Sequence, residues 1–139
     1  MADTNFTPSW AIPVGMNHVP AYQVSGIPWA TGSIDVQTAT KITFPSVTRW
    51  VVINNWDLND NLKVGFSQRG VTHNSNYFEV GKQFANAGAP GSVRLELKVS
   101  ELWLSGSAKV DVVAGLTSIQ PEKIATSDGP SFSGSAGVG

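Results

Sequence analysis

The amino-acid sequence predicts a single all-β domain, an antiparallel β-sandwich or jelly roll, with a small barrel as the alternative. Short segments with alternating apolar side chains recur at spacings of about 8 to 15 residues, and turn-forming residues separate them. No segment has the periodicity of a convincing amphipathic helix. At 139 residues, the chain is long enough for one hydrophobic core and too short for two.

The composition divides the chain into three parts. Residues 1–32 form a predicted extended arm, residues 33–120 the β-sandwich domain, and residues 121–139 a tail rich in Gly and Ser. The tail carries one aromatic side chain, Phe132, which is a candidate contact for a ligand or a partner.

The arm contains four prolines, which exclude a regular helix and favour extended backbone. Large apolar side chains lie between these prolines, whereas disordered tails are poor in aromatic residues. We therefore expect the arm to dock through four anchors, either on its own domain or on a neighbouring protein. These anchors are Trp10, Met16, Tyr22 and Trp29.

The strands are predicted from alternation and from β-branched content. Val47–Ile53 is almost continuously apolar, which predicts a central strand that is buried on both faces. Residues 93–99 show the clearest alternation, and a change of phase near Ser100 predicts a bulge or a corner. The remaining predicted strands are 34–36, 42–44, 62–66, 77–80, 102–104 and 109–114, with a short final segment at 116–119.

The Asn/Asp-rich loop at residues 54–61 contains Trp56, an unusual place for an indole. Three interpretations remain open for this side chain: packing at the edge of the core, a protein interface, or stacking on a sugar. Part of the loop resembles a calcium-binding loop. However, Leu62 stands where the turn glycine would be needed and Gln68 where the closing glutamate would be needed, so we interpret it as a hairpin loop.

Residues suited to catalysis or metal binding do not form a recognisable pattern. The chain contains no cysteine, which excludes a disulfide scaffold, a cysteine zinc site and a thiol nucleophile. His18 and His73 have no second ligand at a metal-binding spacing. No nucleophile elbow and no phosphate-binding glycine loop is found. We therefore predict a protein that is not an enzyme and that uses no cofactor and no metal.

Charge and hydropathy narrow the range of partners. Charged residues make up 14% of the chain, against about 25% in average soluble domains, and the net charge is −1. The nine Lys and Arg residues are scattered, which argues against nucleic acid as a partner. No apolar stretch is long enough to span a membrane and no signal peptide is recognised, so we expect synthesis in the cytoplasm.

Three segments of the chain are Ile42–Asn55, Leu62–Ser67 and Val110–Thr117. They resemble small β-sandwich proteins of double-stranded DNA virus capsids, among them minor capsid, decoration and spike proteins. The resemblance extends over residues 34–119. It implies a non-enzymatic structural protein of the virion that is made in the host cytoplasm and that binds its neighbours through extended termini. It further implies contacts with the major capsid protein or other virion proteins, and a homo-oligomer with a trimer favoured. The alternative is a carbohydrate-binding module or a lectin that uses Trp56.

Overall fold

The computed structural model describes residues 26–73, 75–84 and 88–139. The predicted anchors Trp10, Met16 and Tyr22 lie outside the described residues.

Within these ranges the chain forms eight β-strands, one short α-helix and one 3-10 helix. The helix α1 covers Gln68–Thr72 and follows the fourth strand, and the 3-10 helix covers Pro121–Ile124. The strands are β1 (Ile27–Val36), β2 (Thr40–Thr43), β3 (Thr48–Asn55), β4 (Leu62–Gly65), β5 (Tyr77–Val80), β6 (Gly91–Leu95), β7 (Glu101–Ser105) and β8 (Ser107–Leu116).

The strands form two antiparallel sheets of four, in the orders β1-β8-β3-β6 and β2-β7-β4-β5. Strand β1 pairs with β8, β2 with β7, β3 with β6 and β4 with β5, so the pairs are nested one inside another. Nested pairing of this kind, folded over into two sheets, is the arrangement of a jelly roll. The predicted all-β antiparallel sandwich is thereby confirmed.

The core lies between the two sheets, because each strand turns alternate side chains towards the opposite sheet. Partly exposed apolar side chains also pack against this core: Trp29, Ile34, Phe66, Phe78, Val93, Leu95 and Leu97. The buried cluster consists of Val36, Ile42, Phe44, Val51, Ile53, Leu62, Val64, Val80, Val99, Leu102, Leu104, Val110, Val112, Ala114 and Leu116.

Strand β1 starts earlier than the sequence pattern indicates. We expected the arm to extend to residue 32, but Ile27 already pairs with Leu116 of β8. β1 is an edge strand, where a proline such as Pro28 is tolerated. Trp29 packs edge-on against Phe44 with ring centroids 4.9 Å apart. This anchor therefore contacts its own domain.

Strand β3 is buried on one face only, which corrects the expectation of a strand covered on both sides. Val51 and Ile53 are fully buried between the sheets. Trp50 and Val52 alternate with them and lie half-buried on the other face of the sheet. The near-continuous apolar run thus supplies a core on one side and an apolar surface on the other.

The change of phase predicted near Ser100 marks the passage between the two sheets. Strand β6 ends at Leu95, and residues 96–99 carry the chain from the first sheet towards β7 in the second sheet. The alternation continues through this irregular stretch, because Leu97 and Val99 still pack on the core. The alternation seen at residues 93–99 therefore continues past the end of β6 into residues 96–99, which belong to neither strand.

The segment assigned to the tail packs on the domain. Phe132 contacts a second apolar cluster formed by Val47, Ile119 and Ile124. The backbone N–H of Ser100 donates to Oγ of the buried Ser131 over 3.0 Å.

The end of the tail lies against helix α1. Ser67 caps this helix by accepting a hydrogen bond from the N–H of Gly70 over 3.0 Å, and its hydroxyl donates to the carbonyl of Val138 over 2.7 Å. Gly70 leaves the space that the tail occupies, since a Cβ placed there would lie 2.7 Å from the same carbonyl.

We predict that Gly70→Ala loosens the tail while the sandwich stays folded. The added methyl group collides with the carbonyl of Val138, so hydrogen exchange of the amides of residues 132–139 should accelerate several-fold. Gly81→Ala is the matched control, because a Cβ at Gly81 meets no atom within 4 Å and its backbone needs no positive φ. That control should leave exchange unchanged and raise stability by about 0.4–1 kcal/mol at most. Equal exchange of the tail in both variants would contradict the docking.

Candidate functional site

The loop after β3 is held by the side chain of Asn55. This side chain is fully buried, and its Nδ2 donates to the carbonyls of Asp60 (3.1 Å), Val80 (3.3 Å) and Gly81 (3.3 Å). Its Oδ1 accepts from the Ser107 hydroxyl over 2.8 Å and from the N–H of Asp57 over 3.1 Å. A single amide thus ties together β3, the end of β5 and the start of β8.

The carboxylate of Asp57 closes the same loop from within. Oδ1 accepts from the N–H groups of Asn59 (2.8 Å) and Asp60 (3.2 Å), and Oδ2 accepts from that of Ala108 (2.9 Å). These bonds, with that to Ala108 first, lower the pKa of Asp57 despite the opposing effect of burial. The side chain is only 8% exposed, so its oxygens serve the loop and leave little to offer an ion or a sugar.

Trp56 is bonded within the domain. Its Nε1–H donates to Oδ2 of Asp111 on β8 over 2.7 Å, and Oδ1 of the same carboxylate accepts from the N–H of Ser33 on β1 over 2.8 Å. The indole is half-buried. Of the three interpretations left open by the sequence, packing at the edge of the core agrees best with this geometry.

The outer face of the first sheet is an apolar surface that crosses three strands. We use the name outer face for the side chains of Pro28, Ala30, Trp50, Val52 and Val113. Ala30 on β1 and Val52 on β3 both lie opposite Val113 on β8, and Val113 is 36% exposed. Pro28 and Trp50 both lie opposite Gly115 in the next row. The five side chains are therefore neighbours on the side of the sheet that faces away from the core.

Arg94 borders the outer face. Its guanidinium lies 4.9 Å from the centroid of the Trp50 ring, a cation–π contact, and it also pairs with Glu96 over 2.9 Å. The indole is therefore held in place at the rim of an otherwise aliphatic patch.

An apolar cleft of about 620 Å³ opens where the chain passes from β6 to β7, between that passage and the tail. Its volume lies in the range of ligand-binding pockets, about 300–1,000 Å³. Phe132, which the sequence suggested as a contact for a ligand or a partner, forms part of the wall of this cleft. The lining residues are Arg49, Phe66, Glu96, Leu97, Lys98, Val99, Phe132 and Val138.

A second, polar cleft of about 730 Å³ is lined in part by residues of the tail. Within it, Glu101 is only 5% exposed, and its Oε2 accepts from the Nε1–H of Trp103 over 3.1 Å. Trp103 lies between Lys41 and Gly65 across the second sheet. The cleft is lined by Lys41, Ser67, Gln68, Arg69, Glu101, Trp103, Asp128, Pro130, Ser133, Gly134 and Gly139.

Sequence reasoning did not find the two clefts. Nothing in the local sequence pattern around Glu101 and Trp103 indicates that the tail returns to form a cleft with them. Alternation does place Glu101 and Trp103 on one face of a strand. That spacing was the available signal. The predicted candidates within the described residues are dispersed: Trp29 packs against the core, Trp56 follows the end of β3, and Phe132 lines the apolar cleft.

In the part of the chain that the structure describes, no group of three or more His, Asp or Glu side chains is placed to hold a metal ion. In the same residues, no helix has the length and the apolar character needed to cross a membrane.

We predict that Asp57→Asn destabilises the fold at neutral pH and that this effect fades in acid. An amide cannot reproduce all three accepted bonds, so the loss at pH 7 should be about 1–3 kcal/mol. Because the pKa of Asp57 is lowered on folding, its contribution is complete above the unfolded pKa of about 3.9 and is lost as the pH falls through the folded pKa. Denaturant unfolding from pH 7 to pH 2 measures this difference.

Asp60→Asn is the matched control, since it removes the same charge from an exposed side chain of the same loop. It should change stability by no more than about 0.5 kcal/mol. A deficit for Asp57→Asn that stays constant down to pH 2 would mean that ionisation of Asp57 does not support the loop.

Comparison of this chain with protein-family models, with curated proteins and with solved structures found no match in any of the three.

Proposed function

We propose that this chain is a non-enzymatic structural protein of a virus particle, a minor capsid, decoration or spike component, that acts through protein–protein contacts. Its partners would be the major capsid protein or other virion proteins and further copies of itself, with a trimer favoured. The observation that carries this proposal is the exposed apolar outer face of the first sheet.

The outer face is the kind of surface that proteins cover with partners. Scattered apolar side chains are common on monomers, but contiguous apolar patches mark interaction sites. Here Ala30, Val113 and Val52 adjoin across three strands, and Val113 at the centre is 36% exposed. The low proportion of charged residues, 14%, agrees with a surface that is used for contact.

The jelly-roll architecture supports the same role. Jelly rolls serve as capsid domains, as lectins and as cupins, so the function must be argued from the surface. The space between the two sheets is filled by apolar side chains. The domain therefore offers partners a rigid block whose contacts lie on its outer face, its ends and its clefts.

Association through the outer face predicts that Val113→Lys weakens the oligomer. A lysine at the centre of the patch removes an apolar contact and places an ammonium group where it must lose water. We expect the dissociation constant of the oligomer to rise about tenfold or more. Size-exclusion chromatography with light scattering over a range of concentrations measures this change.

Leu58→Lys is the matched control, because Leu58 is 55% exposed in the loop that follows β3, outside the outer face. That variant should assemble as the unmodified chain does. A full chain that stays monomeric at all concentrations, or an oligomer that tolerates Val113→Lys, would refute self-association through this surface.

Carbohydrate binding is the second candidate, and the polar cleft is the observation that favours it. Trp103 presents a half-buried indole whose orientation is set by the bond to Glu101, with Lys41, Gln68 and Asp128 around the same cleft. An aromatic ring among polar groups is suited to a sugar, whose faces are apolar and whose edges carry hydroxyls. For this second candidate function we therefore propose Trp103, rather than Trp56, as the sugar-binding residue.

If the chain binds glycans, Trp103→Ala should weaken binding about tenfold or more, whereas Trp56→Ala should leave it unchanged. A glycan array followed by titration with the strongest glycan measures this difference. Trp103→Phe keeps an aromatic ring and should retain part of the affinity. An array on which the unmodified chain retains no glycan would remove this candidate.

A further inference from the structure

We propose that the apolar cleft is a binding site for a small free molecule with an apolar body and one anionic head, such as a medium-chain carboxylate. Arg49 binds the head, and the walls of the cleft bury the apolar body. This inference goes beyond the proposed function and does not depend on it, because it concerns neither the outer face nor an assembly.

The first wall of the cleft is the passage from β6 to β7, residues 96–99, and Thr48 fixes its position. The N–H of Thr48 donates to the carbonyl of Val99 over 3.0 Å, and the N–H of Val99 donates to Oγ1 of Thr48 over 3.1 Å. The Thr48 hydroxyl in turn donates to the carbonyl of Leu97 over 2.9 Å. Thr48 is fully buried, so these bonds are shielded from water and hold the wall without a ligand.

The second wall belongs to the tail and contains Phe132 and Val138. The buried Ser131 anchors it by accepting a hydrogen bond from the N–H of Ser100 over 3.0 Å. Phe132 is held at a positive φ of 69°, and strained residues of this kind cluster at ligand-binding sites. Because both walls are fixed in advance, a ligand that enters the cleft does not have to order them, which lowers the cost of binding.

The interior of the cleft is suited to an apolar body. Phe66, Leu97, Phe132 and Val138 all line it, and each of these side chains remains partly exposed. Apolar surface gains free energy when it is removed from water, and a cleft of about 620 Å³ has the size of a small-molecule site. A chain of methylene groups would cover this surface.

A β-bulge places Arg49 in the lining of the cleft. Leu116 and Gly115 are consecutive on β8, but their partners on β3 are Thr48 and Trp50, so Arg49 is an extra residue between them. Bulges of this kind redirect a side chain and are frequent beside functional sites. The planar guanidinium of an arginine matches a carboxylate, to which it can donate two parallel hydrogen bonds.

Positive charge prevails at the rim of the cleft. The charged residues of its lining are Arg49, Lys98 and Glu96. Oε1 of Glu96 accepts from Nη2 of Arg94 over 2.9 Å and from Nε over 3.3 Å, whereas the closest contact of Arg49 with Glu96 measures 3.9 Å. Arg94 therefore offsets the charge of Glu96. An anionic head is favoured over a cationic one on this balance.

Calorimetric titration of the full chain with octanoate tests the site. We expect octanoate to bind about tenfold more tightly than 1-octanol, which has the same chain without the charge, and octylamine to bind more weakly still. Acetate has the head without the chain and should not bind at the same concentrations. An octanoate affinity no greater than that of 1-octanol or octylamine would overturn the proposal, as would the absence of octanoate binding.

Amide chemical shifts locate the bound octanoate on the unmodified chain. We expect the largest changes at residues 97–99 and 132–138, the two walls of the cleft. Changes confined to the outer face, around Val52 and Val113, would show that octanoate binds there as an apolar additive, and they would overturn the proposal. Light scattering reports self-association separately, so this proposal and the proposed function can fail independently.

Variants test the roles of the head and the wall. Arg49→Gln should weaken octanoate binding about tenfold and leave 1-octanol binding unchanged, since it removes only the partner of the charge. Lys123→Gln is the matched control, because it removes one positive charge from an exposed residue outside the cleft. Leu97→Ser should weaken both ligands about threefold or more. Circular dichroism checks that each variant is folded. An unchanged octanoate affinity in Arg49→Gln would refute the role of Arg49.

Vesicles distinguish a free ligand from the head of a membrane lipid, which has the same chemistry. The chain is sedimented with vesicles made of equal parts phosphatidylcholine and phosphatidylglycerol. A chain that binds octanoate and stays in the supernatant supports the free ligand that we propose. A chain that sediments with the vesicles, and sediments less as Arg49→Gln, would show that the cleft takes a lipid head in a bilayer and would overturn the free source.

Discussion

The nested pairing of the strands is the constraint on which the rest of this structure depends. Because β1 pairs with β8, the start of the first described strand and the end of the last lie side by side, joined by the bond from Gly26 to Leu116. The segments that flank the sandwich therefore begin at one end of it. The tail, the second apolar cluster and the apolar cleft all lie at this end. The topology thus concentrates there the parts of the chain that are available for contact.

The opposite end of the sandwich is closed by polar bonds. Asn55 joins three segments, and Asp57 satisfies backbone N–H groups of its own loop and of β8. Buried polar groups that are fully bonded hold a loop in one conformation, and they have little capacity left for a ligand. The Asn/Asp loop, whose sequence resembles a calcium-binding loop, is therefore a poor candidate for a ligand-binding site. The clefts beside the tail are better candidates.

The strands of this fold were predictable because each buries one face, and this produces a local alternation of apolar and polar residues in the sequence. What could not be predicted depends on contacts distant in sequence. The start of β1 was not predicted because it contains Pro28. A strand tolerates a proline at the edge of a sheet, and the local pattern does not show that β1 is an edge strand. The exposure of Trp50 and Val52 depends on whether a second layer covers the sheet. The clefts depend on the return of the tail, for which a Gly/Ser-rich composition offers no signal.

The backbone of the tail indicates that this return is specific. Ser131 and Phe132 adopt positive φ angles of 54° and 69°, a left-handed conformation that is unusual for a bulky residue such as phenylalanine. Each such residue costs about 1–3 kcal/mol and persists only where its surroundings require it. Here the surroundings are the burial of Ser131 against Ser100 and the packing of Phe132 on Val47 and Ile119. Residues 121–139 therefore belong to the folded unit, and an occupant of either cleft would contact the tail as well as the sheets.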